Sequence, residues 1–528
     1  MTAFEIIPFI LFLVVIGTAI AERINVPYPL VLVVTGLIAG FIPGIPNWYP
    51  PSELVLPLFL PPILFATARL ISWEDIQNNK NEISSLSILL VIASTIMIGV
   101  ILAWIVPGMP LSASLVLGAI ISPTDTIAST SILNRIRIPK HIIRSLEVES
   151  LFNDAVSIVL YNMGLMFVFM GAINLLHAEE SILIVGLGGI TVGLMFSYFT
   201  SLIVKEFLTE SENELPIIMS VILAYVSYLF ADRIGVSGVL AVVAAGLFHK
   251  RTERTIKAGT RLSEKSVWDT LVFFLNGLIF IVIGMQFPNF LGKVNYLPTG
   301  QLILFSTITI LSLTLLRFIW VLATNLLVNS LSRLRKHLTK RYIFSWREVL
   351  ISSWSGMRGL ISLALALALP IMLPDTTPFP YRDLIIFLTI IAILFTLLVQ
   401  GLTLPYLVKL LKSEKSDGAF IKESSKIYRR LTKEAIQHMD QLDAGEHICS
   451  ENAKKLVNNY YANRLLQFKA TYETECDTHE VEALLTKILN YERNRLHEMR
   501  SQGEVSEEVY IHILSKIDRD EVGLASYK

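Results

Sequence analysis

Residues 85–108 read SLSILLVIASTIMIGVILAWIVPG, an uncharged run long enough to cross the hydrocarbon core of a bilayer as a helix. Similar apolar runs recur up to about residue 412, and none occurs from residue 413 to the end. The chain of 528 residues is 53% hydrophobic and only 17% charged, whereas soluble proteins carry roughly 25% charged residues. This pattern predicts an all-α polytopic membrane domain over residues 1–412 and a soluble helical tail over residues 413–528.

We predict about thirteen membrane spans, and the loops between them differ in charge. Twenty lysines and arginines lie in one set of alternate loops, and three lie in the other set. Because positively charged loops remain in the cytoplasm, we expect a multi-pass protein of the plasma membrane with its amino terminus outside and its tail in the cytoplasm. The predicted spans lie near residues 4–21, 27–42, 53–71, 84–107, 111–133, 143–171, 181–204, 215–232, 236–249, 267–287, 301–328, 347–373 and 383–411.

The first span and the two cysteines indicate how the chain is processed. No basic segment precedes the first apolar run and no small-residue cleavage site follows it, so we interpret it as a helix and not as a secretion signal. Cys449 and Cys476 both lie in the tail, which we expect in the reducing cytoplasm. We therefore predict neither a disulfide framework nor a metal cluster there.

Four charged side chains lie deep within predicted spans. At mid-bilayer each charge costs at least about 2.5–3.5 kcal/mol, which makes it a functional candidate by default. With a rise of 1.5 Å per residue, Asp154 and Arg358 lie roughly 16 Å into their spans, and Asp125 lies roughly 21 Å into its span. Arg317 is similarly deep, and for it we predict only an unidentified acidic partner or a position in a tilted helix that reaches water.

Residues 145–161 read SLEVESLFNDAVSIVLY and place polar side chains on one face of the sixth span. At about 100° per residue, Glu149, Ser150, Asn153 and Asp154 fall within an arc of about 140°. Hydrogen bonds that join neighbouring helices explain Ser150 and Asn153 adequately. They do not explain Asp154, because a lone carboxylate there would simply protonate. We therefore predict a functional role for Asp154.

Residues 122–126 read SPTDT and predict that the fifth span opens. Proline removes one helical hydrogen-bond donor, and opened backbone at membrane depth lines a cavity or packs on protein. Freed carbonyls can then bind a cation. Asp125 has two interpretations at this point: it caps the second half-helix, or it binds the cation directly.

In the twelfth span, Gly356 and Gly359 flank Arg358 in the sequence SGMRG, which predicts close helix packing. An arginine keeps its charge and needs an anion, and Glu149 is also expected to be buried. We predict that Glu149 and Arg358 form a structural ion pair. This pairing leaves Asp154 as the carboxylate that is free to bind.

The remaining oxygen atoms suit a hard monovalent cation such as Na⁺. They are the Asp154 carboxylate, the Ser150 and Thr124 hydroxyl groups, the Asn153 amide and freed backbone carbonyls. One carboxylate can carry either a proton or a cation, but not both. Competition for Asp154, combined with access that alternates between the two membrane faces, predicts exchange of a cation for a proton.

At these residues the sequence resembles the bacterial sodium/proton antiporters of cation/proton antiporter family 1, relatives of the eukaryotic sodium/proton exchangers. The resemblance covers residues from about 5 to 411, and its motifs occur in family order. The motifs are FLPPILFATA (59–68), SPTDT (122–126), FNDAV (152–156), GVSGVLAVVAAGL (235–247), FFLNGLIFIVIGMQF (273–287) and SGMRGLISLALALALP (355–370).

The resemblance implies a fold of two inverted repeats with broken, crossing helices, and a core domain that moves past a dimerisation domain in a homodimer. It implies that Asp154 carries the ion and the proton, that Ser150 contributes a hydroxyl group, and that Thr124 and Asp125 lie in the unwound helix. Glu149 and Arg358 match the core ion pair of the family. The Asn153–Asp154 sequence resembles the electroneutral, one-for-one branch.

Two departures from the family pattern bear on the site. Many relatives carry an acidic residue in the third helix where this chain has Phe65-Ala66-Thr67-Ala68. If that carboxylate helps to bind the cation in those relatives, the site here has one ligand fewer. The family's Asp-Pro is here Asp125-Thr126, with proline upstream at Pro123.

Other functions are weighed against exchange. A K⁺-preferring antiporter or a gated or uniport variant of the same fold stays open, and an intramembrane aspartyl protease using Asp125 and Asp154 is a remote alternative. The sequence contains no TVGYG-like channel filter and no G-x-x-x-x-G-K-[ST] loop. We expect a transporter and not an enzyme, with no cofactor and with no nucleotide or nucleic-acid partner.

Overall fold

The computed structural model consists of helices. Within the residues that it describes, the regular elements are helical apart from one isolated bridge between Met372 and Pro378. The chain divides into two compact units, Met1–Glu414 and Lys415–Lys528. The structure describes residues 3–24, 26–43, 52–71, 76–77, 83–136, 138, 140–171, 175–208, 214–252, 258–334, 345–374, 377–411, 430–432, 434–435, 459, 478–502, 510, 513–514 and 517.

The first unit contains helices α1 to α16, several of which continue into short π-helical turns. The first eight are α1 (Ala3–Arg23), α2 (Tyr28–Phe41), α3 (Ser52–Leu70), α4 (Leu90–Ile105, preceded by the π-helix Ile83–Leu89), α5 (Leu111–Ile121), α6 (Thr126–Ile136), α7 (Lys140–Met170) and α8 (Leu175–Ile203). The others are α9 (Glu214–Arg233), α10 (Gly238–Thr252), α11 (Ala258–Lys293), α12 (Thr299–Leu334), α13 (Trp346–Trp354), α14 (Leu360–Leu367), α15 (Arg382–Phe395) and α16 (Gly401–Leu411).

The lengths and compositions of these helices confirm a polytopic helical fold. Among the described residues, eight helical stretches are long and apolar enough to cross a membrane. Shorter apolar helices are Tyr28–Phe41, Leu111–Ile121 and Gly238–Lys250. Every predicted span overlaps a helix. The exact number of thirteen crossings stays a prediction, because several helices are too short to cross alone.

Helices α2 and α11 pack with their backbones in contact. A Cβ atom on Gly36 or Gly40 of α2 would meet the backbone carbonyl oxygen of Ile281 or Met285 of α11. Gly284 of α11 has the same relation to the backbone of α2. Lipid tails are as apolar as the helix side chains, so the hydrophobic effect does not drive helices together within a membrane. Small residues at these positions let the two helices approach closely and gain van der Waals contact instead.

Two predicted spans are interrupted, and their interruptions touch each other. Residues 122–125 separate α5 from α6, and residues 355–359 separate α13 from α14. The backbone N–H of Asp125 donates to the carbonyl oxygen of Met357 at 2.7 Å. The opening predicted around Pro123 is therefore present, and a second opening lies against it. Together they bring polar backbone groups to the centre of the unit.

The end of α3 is tied to three other helices by buried or partly buried charges. Glu264 of α11 is fully buried, and its Oε1 lies 3.6 Å from Nη1 of Arg69 and 3.0 Å from Nε2 of His249. The carbonyl oxygen of Leu70, the last residue of α3, accepts a hydrogen bond of 2.9 Å from Arg144 of α7. Positive groups are favoured at a helix carboxyl terminus.

The second unit contains helix α17 (Thr478–Ser501). Leu496 of this helix packs with Tyr510 and Ile517 in a small apolar cluster, with Leu489 and Leu514 beside it. The hydroxyl group of Tyr510 is hydrogen-bonded to Nδ1 of His497 at 2.8 Å. This unit has a small core of its own.

Candidate cation site

The polar face of α7 lies against the opening between α5 and α6. Glu149, Ser150, Asn153 and Asp154 are all buried, as the helical spacing predicts. One turn further on, Ser157 donates to the carbonyl oxygen of Ala119 in α5 at 2.7 Å. This hydrogen bond fixes the polar face of α7 against α5, the first half of the interrupted span.

Thr124 joins α7 to the opening through three hydrogen bonds. Its hydroxyl group donates to Oε1 of Glu149 at 3.2 Å and accepts from Nδ2 of Asn153 at 2.8 Å. Its freed carbonyl oxygen accepts from the hydroxyl group of Ser150 at 3.0 Å. These bonds satisfy the backbone where the helix stops, which a buried carbonyl group requires. They also fix the positions of the oxygen atoms of Ser150 and Thr124.

Asp154 differs from its neighbours because, within the described residues, its carboxylate makes no hydrogen bond and no ion pair. It lines a cavity of about 30 Å³ together with Asp125, Thr124 and Ser150. A water molecule needs at least about 10–15 Å³ by this measure, so the cavity has room for a small ion. The structure thus brings together the carboxylate and both hydroxyl groups that the sequence predicts as ligands.

Asp125 lies at the contact between the two openings. Its Oδ2 accepts a hydrogen bond of 3.2 Å from the backbone N–H of Leu360, the first residue of α14. A carboxylate at a helix amino terminus satisfies a free N–H group and complements the helix dipole. The cap that Asp125 provides therefore serves α14 of the other interrupted span, and the carboxylate also lines the cavity.

The predicted ion pair between Glu149 and Arg358 is wrong, because Glu149 pairs with Arg317 of α12. Nη1 and Nη2 of Arg317 donate to Oε1 and Oε2 of Glu149 at 2.5 Å and 3.1 Å. Nη2 of Arg317 also donates to the carbonyl oxygen of Ser352 at 3.2 Å. The planar guanidinium group matches the carboxylate with two parallel bonds. Gly356 leaves room for it, since a Cβ atom there would lie on the guanidinium group.

Arg358 satisfies its charge with carbonyl oxygens instead. Its Nε donates to the carbonyl oxygen of Ile121 at 3.1 Å, and its Nη1 donates to that of Gly356. Ile121 is the last residue of α5, where the helix dipole is negative. In the described part of the chain no carboxylate lies within ion-pair distance of Arg358. Arg358 therefore joins the two openings.

The sequence analysis missed the role of Arg317, although depth had marked it as a buried charge. Glu149 was available as its acidic partner, but Arg317 and Arg358 lie at similar depths, so depth could not choose between them. Ser362 was also missed. Its signal is a hydroxyl group in the first turn after the glycine-rich interruption of the twelfth span.

The third helix contributes to the same cavity. Ile63 and Thr67 of α3 line it, and the Thr67 hydroxyl group donates to the carbonyl oxygen of Ile63 at 2.9 Å. The segment without the acidic residue therefore reaches the site. It offers a neutral hydroxyl group to the cavity, and the carboxylates among the described lining residues are those of Asp154 and Asp125.

Comparison with known proteins gives consistent matches to sodium/hydrogen exchangers. A family model described as "Sodium/hydrogen exchanger, transmembrane" matches residues 10–410. An exchanger of Escherichia coli, named as an uncharacterised Na(+)/H(+) exchanger, is 32% identical, with 96% of each chain covered. The match to the sodium, potassium, lithium and rubidium/H(+) antiporter of Bacillus pumilus is 33% identical and covers 74% of this chain.

The chain spans about 58% of the length of that Bacillus relative. Among solved structures, the sodium proton antiporter MjNhaP1 of Methanocaldococcus jannaschii at pH 8 is similar with a TM-score of 0.60 and 22% sequence identity. The match covers 78% of this chain and 100% of that chain. At this identity the similarity concerns the fold.

Proposed function

Since this chain belongs to the sodium/hydrogen exchanger family, a family of multi-pass membrane transporters, we propose that it is a secondary antiporter that exchanges Na⁺ for H⁺. The observation that carries the proposal is the Asp154 carboxylate, which is buried, lines the cavity and has no bonding partner among the described residues. Such a carboxylate is available to a cation or a proton.

Asp154 binds Na⁺ and H⁺ alternately. In the cation-bound state, the carboxylate and the oxygen atoms of Ser150 and Thr124 surround the ion, and the Asn153 amide holds Thr124 in place. In the proton-bound state, Asp154 is neutral and the cavity holds no cation. Because both ligands need the same carboxylate, release of one to one side permits uptake of the other.

The stoichiometry that fits a single free carboxylate is one cation for one proton, which is electroneutral. Glu149 is committed to Arg317, and Asp125 accepts from the start of α14. Both carboxylates therefore already make bonds within the protein, unlike the carboxylate of Asp154. The same commitment of Asp125 argues against an aspartyl protease, which needs two carboxylates free to share a proton and a water molecule.

The proposed setting is the plasma membrane, with the amino terminus outside, the tail in the cytoplasm and two copies forming a homodimer. The charge difference between alternate loops supports the orientation. The name of the Bacillus relative includes potassium, and α3 supplies Thr67 where an acid is absent. K⁺ as the preferred cation is therefore the second candidate.

The test is cation-induced recovery of a preformed pH gradient in inside-out vesicles. It compares the wild type, Asp154→Asn and a control at equal expression, with Na⁺, Li⁺ and K⁺ over pH 6–9. Asp269→Asn is the control because this carboxylate is exposed on α11. We expect the wild type and the control to dissipate the gradient and Asp154→Asn to be inactive.

Two results would contradict the proposal. A wild-type protein that is silent for all three cations over this pH range is not such an antiporter. Full activity of Asp154→Asn would show that the exchange does not depend on this carboxylate. The order of the three cations decides between the Na⁺ and K⁺ candidates.

A further inference from the structure

Ser362 of α14 carries a hydroxyl group that the protein leaves unused. Its side chain is 2% exposed, and among the described residues its Oγ has no hydrogen-bond partner. A buried hydroxyl group without a partner costs free energy, about 1–3 kcal/mol by protein mutational data. The arrangement therefore needs an explanation.

Other buried serines in the membrane unit show what is unusual about Ser362. Ser94, Ser227 and Ser353 each donate to the carbonyl oxygen four residues earlier, at 2.7 Å. Ser362 lies in the first turn of α14, and the residue four positions earlier is Arg358, inside the interruption. Unlike those serines, Ser362 makes no hydrogen bond to the carbonyl oxygen of Arg358.

Ser362 lines the same cavity as Asp154, Ser150 and Thr124. Those three residues belong to α7 and to the opening between α5 and α6, whereas Ser362 belongs to the other interrupted span. It adds a neutral oxygen from a second helix to the carboxylate and hydroxyl groups around the cavity. Hard monovalent cations bind oxygen ligands of this kind.

We propose that Ser362 is a ligand of the transported monovalent cation, facing Asp154 across the cavity. The inference rests on the proposed antiport function and adds a specificity-determining residue to it. When the cation is bound, a lone pair of Oγ contacts the ion. When Asp154 carries a proton, Ser362 has no ion to contact, so the hydroxyl group acts on the cation and not on the proton.

This role gives a distinct signature. Loss of the hydroxyl group weakens binding of the cation while leaving the Asp154 carboxylate in place. The apparent KM for Na⁺ rises and the maximal rate is retained. A merely structural serine would instead change stability or the maximal rate without changing the dependence on Na⁺.

The experiment measures Na⁺ binding and exchange in the full-length protein, comparing Ser362→Ala, Ser362→Thr and Ser227→Ala. Ser227 is the matched control, because it is fully buried in α9 and bonded within its own helix. Binding is read from the rise of the melting temperature of purified protein with Na⁺ concentration, since the stabilisation grows as ln(1 + c/Kd), where c is the Na⁺ concentration, and yields the apparent Kd. Exchange is read in the vesicle assay.

For Ser362→Ala we expect roughly a ten-fold higher Na⁺ requirement in both assays, the loss typical of one bond to a charged group. Ser362→Thr keeps a hydroxyl group and stays closer to the wild type, and Ser227→Ala leaves the Na⁺ requirement unchanged. A wild-type Na⁺ requirement for Ser362→Ala would overturn the inference. Failure of the wild type itself to exchange or bind Na⁺, Li⁺ or K⁺ would instead contradict the proposed antiport.

Discussion

Glu149 and Arg317 are both buried, so each depends on the other for compensation of its charge. Removal of one partner from such a pair typically costs about 3–5 kcal/mol, because the remaining charge stays in a nonpolar environment. We expect Arg317→Met to lower the melting temperature of the purified protein strongly. Glu149→Gln combined with Arg317→Met should recover part of the loss, since no unpaired charge remains.

The control for this prediction is Arg430→Met in the second unit. Arg430 pairs with Glu434 at 2.8 Å, but the two side chains are 80% and 52% exposed. Exposed pairs contribute about 0–1 kcal/mol, so this variant should melt like the wild type. If Arg317→Met also melted like the wild type, the buried pair would not be a stabilising contact.

Gly356 and Gly359 leave room for charged side chains that pack against the backbone of the second interruption. A Cβ atom on Gly356 would collide with the guanidinium group of Arg317, and one on Gly359 would collide with the carboxylate of Asp125. We expect alanine at either position to lower both stability and exchange. Gly292→Ala is the control, because a Cβ atom there meets no atom within 4 Å. Melting temperature and vesicle exchange measure the effect.

Depth along a helix marked four charges from the sequence, because depth can be read from position in a span; of these Asp154, Arg317 and Arg358 are buried and Asp125 is partly buried. The pairing could not be derived in the same way. Glu149 can pair with only one of two arginines at similar depth, and the choice is made by packing of α12 against α13. Space beside Gly356 admits Arg317, and the carbonyl end of α5 accepts Arg358.

At the scale of helices, the openings were predictable where a local residue causes them. Pro123 removes a donor and so predicts the first opening, whereas the glycines beside Arg358 predict only close helix packing. The hydrogen bond from Asp125 to Met357 joins residues far apart in the chain. No local pattern encodes that contact, and only the family resemblance suggested that broken helices cross. Ser362, which follows this contact in α14, lines the same cavity as Asp154.

The cluster of Glu264, His249 and Arg69 ties α11, α10 and α3 together away from the cation site. We expect Glu264→Gln to destabilise the protein by about 3–5 kcal/mol, because it removes the buried carboxylate that both Arg69 and His249 contact. The melting temperature of the purified protein measures this. Asp269→Asn on the same helix is the control, since its carboxylate is exposed. An equal effect of both variants would mean that the cluster does not hold the helices together.

At the scale of the molecule, α11 provides a test of orientation. It has 36 residues, and at 1.5 Å per residue it is about 54 Å long, well beyond the roughly 30 Å of a hydrocarbon core. Its two ends must therefore reach opposite aqueous faces if it crosses the membrane. The segment around its start, residues 250–265, contains six lysines and arginines, whereas its end carries one lysine, Lys293. The charge rule places its start in the cytoplasm.

Cysteine labelling checks this orientation. With Cys449 and Cys476 replaced by serine, single cysteines are introduced as Leu262→Cys and Tyr296→Cys, at side chains that are 72% and 62% exposed. A membrane-impermeant maleimide should label Tyr296→Cys in intact cells and Leu262→Cys only after permeabilisation. The reverse pattern would invert the proposed topology. Labelling of both cysteines from one side would show that α11 does not cross the membrane. The loops would then no longer alternate between the two faces as proposed, and the cytoplasmic position of the tail would lose its support.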